Sequence, residues 1–220
     1  MTLTDTSLRD ALAAFSAADP TPGGGSASAL ASALGTSLLI MVSALPKTRT
    51  GSESDRSALA SARHTLTGLR DELTAAIDAD SAAYDQVVGA YKLPKASADE
   101  QHARKAVIDR ALRAATDVPL GVMRLSAAAL AEAAAVAAHG QTSAASDVGV
   151  AIALLGAGLE GARLNVEINL GALRDDEYAA ATREEAAQHS GRGDASFRAA
   201  ERSLPAGGSR GLPHSPLPNR

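Results

Sequence analysis

Twenty consecutive residues without a charged side chain, from Ser26 to Leu45, constrain the fold of this chain more than any other segment. A helix of this length either crosses a membrane or lies buried in a soluble bundle. Six of the twenty residues are Ser or Thr, and the flanking residues are glycines and Pro46 rather than aromatic anchors. We therefore expect a buried helix over about residues 25–45 and no membrane span, although a membrane-embedded helix is the alternative.

The apolar side chains are mostly small and aliphatic. Hydrophobic residues make up 45% of the chain, yet it has two Phe, three Tyr and no Trp. Ala and Leu favour helices, whereas sheets use more β-branched and aromatic residues. Helical spacing predicts further helices over 5–18, 55–92, 97–117, 119–138, 146–170 and 172–188. We therefore expect an all-α bundle of about six to seven helices, several of them long.

The length of 220 residues suits one domain. We assign residues 1–188 to this helical domain and expect residues 189–220, rich in Gly, Pro, Ser and Arg, to be a disordered tail. Ala27, Ala31 and Gly35 form a row of small residues that permits close helix packing. Because Ala-rich helices bury little apolar area each, we also expect a homodimer.

Charge and residue usage exclude several classes of protein. The formal net charge is −4 and aromatic residues are scarce, which argues against a nucleic-acid partner. The chain has no Cys, and its five His show no ligand spacing, so we expect no metal site. Arg9 and Asp10 interrupt any early apolar run, so no secretory signal is predicted and we expect a cytoplasmic protein.

The segment 20–26, Pro-Thr-Pro-Gly-Gly-Gly-Ser, directly precedes the uncharged helix. Free N–H groups at the positive end of a helix form a natural site for an anion or a carbonyl oxygen. The alternative is a flexible joint, but a joint needs no stiffening prolines. We therefore predict a structured loop at Gly23, Gly24, Gly25 and Ser26.

Three further patterns suggest site chemistry. Asp147 lies near the start of an apolar helix, where it serves either as an acid/base group or as an ordinary cap. Asp80 and Tyr84 are four residues apart and share a helix face, which lines a pocket or faces solvent. Asn165 and Asn169, also four apart in an apolar stretch, need hydrogen-bond partners, either on a neighbouring helix or on a ligand.

Several motifs along the chain occur in the order found in one known family, over about residues 5–185. The chain resembles the formiminotransferase-cyclodeaminase C-terminal domain family, which includes methenyltetrahydrofolate cyclohydrolases. The matching motifs are Asp19-Pro20-Thr21-Pro22-Gly23-Gly24-Gly25-Ser26, Asp78-x-Asp80 with Tyr84-Asp85, Lys92-Leu93-Pro94-Lys95, Ala115-Thr116-Asp117-Val118-Pro119-Leu120, Ser146-Asp147-x-Gly149, and Glu160-Gly161-Ala162 with Leu164-Asn165 and Ile168-Asn169.

The resemblance implies an all-helical, dimeric enzyme that needs no cofactor beyond tetrahydrofolate as its substrate. One family activity closes 5-formimino-tetrahydrofolate to the 5,10-methenyl form with loss of ammonia, and the other opens the methenyl ring with water. Both pass through a tetrahedral carbon between two nitrogens and need proton transfer. We leave open which reaction applies, and the alternative is a non-catalytic folate-binding or scaffold protein of the same fold.

The candidate site combines the patterns with the resemblance. Glu160 either takes part in binding or pairs with Arg163, three residues on. Lys92 meets the glutamate tail of folate or is solvated. The chain departs from the family pattern in the loops at 44–49, where Lys47 keeps a cation, and at 141–143. We therefore predict Asp147 and Asp80 as acid/base groups and Gly23, Gly24, Gly25, Ser26, Lys47, Tyr84, Lys92, Ser146, Glu160, Asn165 and Asn169 as substrate-binding residues.

Overall fold

The protein is all-helical, as the sequence predicts. A computed structural model describes residues 2–205 and contains, within that range, six α-helices, two short 3₁₀ turns and no β-strand. The helices are α1 Leu8–Phe15, α2 Gly24–Ser43, α3 Glu53–Tyr91, α4 Ala98–His139, α5 Ala145–Leu170 and α6 Asp176–Ser203. The short α1 and the long α2, α3 and α5 all match predicted segments.

The centre of the bundle is α2, which packs against α3, α4 and α5. It runs antiparallel to α5, since Gly24 lies beside Asn165 and Gly35 lies beside Ala151. A Cβ at Gly35 would lie 2.7 Å from the Ala151 carbonyl oxygen, so only glycine permits this approach. Of the predicted row of small residues only Gly35 faces α5, because Ala27 is exposed and Ser28 and Ser32 are the buried members.

The predicted helix break before Pro119 is wrong, since α4 continues through Pro119 from Ala98 to His139. Proline lacks an N–H, so it cannot donate to the carbonyl oxygen of Ala115 one turn earlier. The side chain of Asn169 on α5 donates to that oxygen instead, with Nδ2 2.7 Å away. A neighbouring helix therefore replaces the missing bond, and α4 does not need to end.

The predicted disorder of residues 189–220 is also wrong for the part of the tail that the structure describes. Helix α6 extends to Ser203, because Phe197, Ala200 and Leu204 are buried in the main hydrophobic core. Apolar residues at helical spacing thus outweigh the glycines of this segment, and Gly193 is itself buried. The rest of the predicted tail, residues 206–220, lies outside the described residues.

A band of large aliphatic side chains on α2 and α5 is exposed. Leu34 and Met41 on α2, and Val150, Leu164 and Ile168 on α5, are each at least 40% exposed. These five residues are called the α2/α5 face below. An apolar surface shared by two adjacent helices indicates a site of association.

By length and composition alone, three helical segments of the described chain are apolar enough to cross a membrane: Gly24–Ser43, Ala98–His139 and Thr142–Leu170. Inside the bundle, 56% of the most apolar stretch is buried in each of the first two segments and 39% in the third. The lower burial of the third segment reflects the α2/α5 face.

Candidate functional site

A cavity of about 320 Å³ opens at the end of the bundle where α2 begins and α5 ends. Each wall comes from a different part of the chain, so the tertiary fold assembles it. The walls are the loop at 20–25, Asp80, Tyr84 and Val87 of α3, Leu112 and Ala115 of α4, and Asn165, Ile168 and Asn169 of α5. The cavity therefore contains most of the predicted glycine loop and both of the predicted i, i+4 pairs.

The glycine loop is structured and packs directly against Asp80. Gly23 is the N-cap of α2 and has no side chain to cap it. The backbone N–H of Ser26 instead donates to Asp80 Oδ2 at 2.8 Å, and Ser26 Oγ lies 3.1 Å from the same oxygen. A Cβ at Gly25 would overlap Asp80 Oδ1. The anion predicted at this helix start is thus a carboxylate of the protein itself.

Asp80 is the one charged residue among the described residues that line the cavity. Burial raises the pKa of its carboxyl group, and the two hydrogen bonds from Ser26 partly oppose that rise. Oδ2 is held by Ser26, whereas Oδ1 has no hydrogen-bond partner within residues 2–205. A carboxyl group with one oxygen held and the other free is suited to exchanging a proton with a bound molecule.

Both predicted asparagines have partners on the protein, as their apolar surroundings require. Asn165 Nδ2 donates to the Gly161 carbonyl oxygen at 2.8 Å, and Asn169 Nδ2 donates to Ala115 at 2.7 Å. Because a carbonyl oxygen only accepts, these contacts identify which end of each amide is the nitrogen. Each Oδ1 is therefore an acceptor without a partner in the described chain, at the wall of the cavity.

Tyr84 lies at the rim of the cavity with 42% of its surface exposed. It follows Asp80 by one helical turn, and the two residues do line one pocket. Val87, Leu112 and Ile168 supply apolar walls that the sequence patterns did not single out. Ile168 directly precedes Asn169, which was the available signal for it.

The structure does not bring the other predicted residues to this cavity. Ser146 and Asp147 lie in the first turn of α5, eighteen residues from Asn165, which corresponds to about 27 Å along a helix. Lys47 is in the loop at the same distant end, and Lys92 is the exposed C-cap of α3. Glu160 forms an ion pair with Arg163 at 2.6 Å, which is the structural alternative that its spacing indicated.

A second buried carboxylate, Asp55, lies at that distant end and was missed by the sequence patterns. Its oxygens accept bonds from the Thr50 backbone N–H at 2.7 Å, the Thr50 hydroxyl at 2.7 Å and the Thr48 hydroxyl at 3.2 Å, and Oδ1 lies 2.8 Å from His139 Nδ1. The bond with His139, followed by those from Thr50, holds the pKa of Asp55 well below its usual range. The Ser52-x-x-Asp55 spacing of a helix N-terminus was the only signal for it.

Groups of three or more His, Cys, Asp or Glu side chains with the arrangement of a metal site do not occur within residues 2–205.

Comparisons with known proteins agree with one another. A family model described as formiminotransferase-cyclodeaminase matches residues 7–188. The methenyltetrahydrofolate cyclohydrolase of Methylorubrum extorquens is 38% identical over 160 residues, which cover 73% of this chain and 77% of that protein. The formimidoyltransferase-cyclodeaminase of Rattus norvegicus is 33% identical over 181 residues, or 82% of this chain, but the match spans only 34% of that longer protein.

A solved structure shows the same fold. The crystal structure of formiminotetrahydrofolate cyclodeaminase from Thermotoga maritima has a TM-score of 0.80 to this chain at 24% sequence identity. The superposition covers 91% of this chain and 96% of that one.

Proposed function

Because the chain belongs to the formiminotransferase-cyclodeaminase family, we propose that its cavity binds the one-carbon end of a reduced folate and that Asp80 transfers protons there. The protein is a folate one-carbon enzyme, a formimidoyltetrahydrofolate cyclodeaminase or a methenyltetrahydrofolate cyclohydrolase. The observation that carries the proposal is the position of Asp80, the one charge on the described cavity wall, beside the glycine loop.

Both reactions need the same group at the same place. In the hydrolase direction water adds to the methenyl carbon, so a base must take a proton from the water and an acid must supply one to the departing ring nitrogen. In the deaminase direction N10 attacks the formimino carbon, N10 loses a proton, and ammonia leaves after gaining one. The free Oδ1 of Asp80 suits either role, because burial raises its pKa towards the working range of acid/base catalysts.

The cavity fits part of a folate rather than the whole molecule. About 320 Å³ is at the lower end of the range for small-molecule sites. We assign it to the pterin ring with its attached one-carbon unit. Val87, Leu112 and Ile168 then contact the flat faces of the ring, and the amide oxygens of Asn165 and Asn169 accept hydrogen bonds from its N–H groups.

The test uses purified protein with two substrates. Accelerated loss of the ultraviolet absorbance of methenyl-tetrahydrofolate identifies the hydrolase, and its appearance from formimino-tetrahydrofolate identifies the deaminase. Turnover of neither substrate would overturn the proposed activity. Folate binding without turnover would support the non-catalytic alternative instead.

The structure removes the main support for that alternative. Its basis was the departure of the loops at 44–49 and 141–143 from the family pattern. Both loops lie at the Asp55 end of the bundle, where Arg49 N–H donates to the His139 carbonyl oxygen and Thr48 bridges to Gly140. Changes there do not touch the cavity of the same subunit.

The partner that we propose, besides the folate, is a second copy of the chain bound through the α2/α5 face. Five large aliphatic side chains on two adjacent helices favour association in water. Sedimentation should show a dimer without detergent, and Leu164→Glu should yield monomers. A wild-type monomer at micromolar concentration would contradict this, and a need for detergent would favour the membrane alternative. We also propose a cytoplasmic location and no cofactor beyond the folate substrate.

A further inference from the structure

The bond between α5 and α4 at Asn169 exists because α4 contains a proline. Pro119 has no N–H for the Ala115 carbonyl oxygen, and Asn169 Nδ2 takes the vacant place at 2.7 Å. An alanine at position 119 would restore the intrahelical donor and compete with the side chain. The orientation of the Asn169 amide therefore depends on Pro119.

The same orientation fixes what the cavity wall presents to a ligand. With Nδ2 committed, Asn169 offers only its oxygen, and Asn165 does the same because its Nδ2 is bonded to Gly161. Asp80 adds a free carboxyl oxygen, and none of the described lining residues is Lys, Arg or His. The wall thus combines one negative charge with two amide acceptors.

From this geometry we infer that the cavity is selective for a planar cation in which two nitrogens flank one carbon, an amidinium, and that Asn169, held by Pro119, is a positioning residue for that selectivity. The carboxylate balances the charge, and the amide oxygens accept from N–H groups in the ligand plane. The inference deepens the proposed function, on which it rests. Methenyl-tetrahydrofolate and protonated formimino-tetrahydrofolate both carry an amidinium at the reacting carbon, whereas formyl folates are neutral there.

The selectivity can be measured without any folate, using benzamidine and benzamide as probes. The two have the same shape, but benzamidine is a cation with N–H donors only, and benzamide is neutral with an acceptor oxygen. Calorimetric titration of the wild-type protein should show benzamidine binding about tenfold or more tightly than benzamide, as charge-assisted hydrogen bonds require.

Variants then separate positioning from general packing. Asn169→Ala and Pro119→Ala should each reduce the benzamidine preference by about threefold to tenfold, because each removes or frees one oriented acceptor. Gly121→Ala is the matched control. It also adds a methyl group and helix propensity to α4, but its Cβ would meet nothing within 4 Å, so the preference should not change.

Three results would overturn the inference: equal affinities of the wild-type protein for the two probes, an unchanged preference in both variants, or an equal loss of affinity for both probes. If Pro119→Ala does not fold, Asn169→Ala alone decides, since it leaves the α4 sequence intact. The proposed function fails separately, through absence of folate turnover. A protein that prefers benzamidine but turns over neither folate would keep this inference and lose the enzyme assignment.

Discussion

Two aspartates on the same helix, Asp80 and Asp55 of α3, have opposite environments. Asp55 is 5% exposed, and its oxygens are bonded to three residues: Thr48, Thr50 and His139. Asp80 has one oxygen held by Ser26 and the other free beside the cavity. The pKa of Asp55 is therefore lowered by its bonds, whereas that of Asp80 is raised by burial.

This difference shows how an environment assigns a role to a residue type. A carboxylate whose oxygens are all bonded stabilises the fold and has little tendency to accept a proton. A carboxyl group that burial leaves short of partners exchanges protons more readily and costs the fold some stability. We therefore assign Asp55 to structure and Asp80 to chemistry.

The largest expected effect is on turnover when Asp80 is replaced. Asp80→Asn keeps the shape and an acceptor for Ser26 but removes proton transfer, so kcat should fall by about 10²- to 10⁴-fold. Steady-state assays with the active folate substrate measure this. Asp85→Asn is the matched control, because Asp85 is an exposed acid on the same helix and its loss should leave kcat unchanged. Retention of most activity by Asp80→Asn would remove Asp80 from the mechanism.

A methyl group at Gly25 should have the next largest effect. Because a Cβ there overlaps Asp80 Oδ1, Gly25→Ala must displace the carboxylate, and a shift of this kind costs kcat/KM about 10- to 100-fold. Gly89→Ala, in open space on α3, serves as the comparison and should behave like wild type in the same assay. Equal activity of the two variants would show that the glycine loop does not position Asp80.

Replacement of Asp55 should affect stability rather than turnover. Its pKa is lowered by folding, so its contribution is present above the unfolded value of about 3.8 and is lost as the pH falls below it. Asp55→Asn should therefore lower the Tm at neutral pH, and the difference from wild type should shrink in acid. Calorimetric scans at pH 7 and pH 3 measure both, and a constant difference would contradict the assigned role.

The same scans applied to Asp80→Asn should show a smaller effect of opposite sign. The folded pKa of Asp80 is raised, so the folded protein loses stability as the pH rises through that range and the carboxyl group ionises. A neutral amide avoids this loss. The Tm of Asp80→Asn relative to wild type should therefore be higher at pH 7 than at pH 3, and the reverse order would argue against burial as the cause of the shift.

The smallest effect is expected at Asp147, which the sequence placed first among the acid/base candidates. It lies about 27 Å from the asparagines of the cavity along α5. Asp147→Asn should therefore change kcat by less than about threefold, well below the loss expected of an acid/base group. A loss of 100-fold or more would instead bring Asp147 into the site from the second subunit of the proposed dimer.

Most of the helices could be predicted because their signals are local. Spacing of apolar residues placed α2, α3 and α5, and the Ser97–Glu100 capping box that marked the start of α4 is present. The errors arose where a distant partner overrides a local rule. Pro119 does not end a helix because Asn169, fifty residues on, replaces the missing donor. Residues 189–203 are helical because Phe197 and Ala200 reach a core that composition does not reveal.

The sequence by itself determined the all-α fold, the glycine loop at the start of α2, and the pairing of Asp80 with Tyr84 and of Asn165 with Asn169, because each depends on helical spacing of three or four residues. Only the tertiary structure decided which candidates meet. The antiparallel packing of α2 and α5 brings the loop to Asn165 and Asn169, and α3 brings Asp80 to the same end, while Asp147 and Lys47 lie at the other. The physical reason is that a helix carries its two ends apart by 1.5 Å per residue, so proximity depends on helix direction and not on residue type.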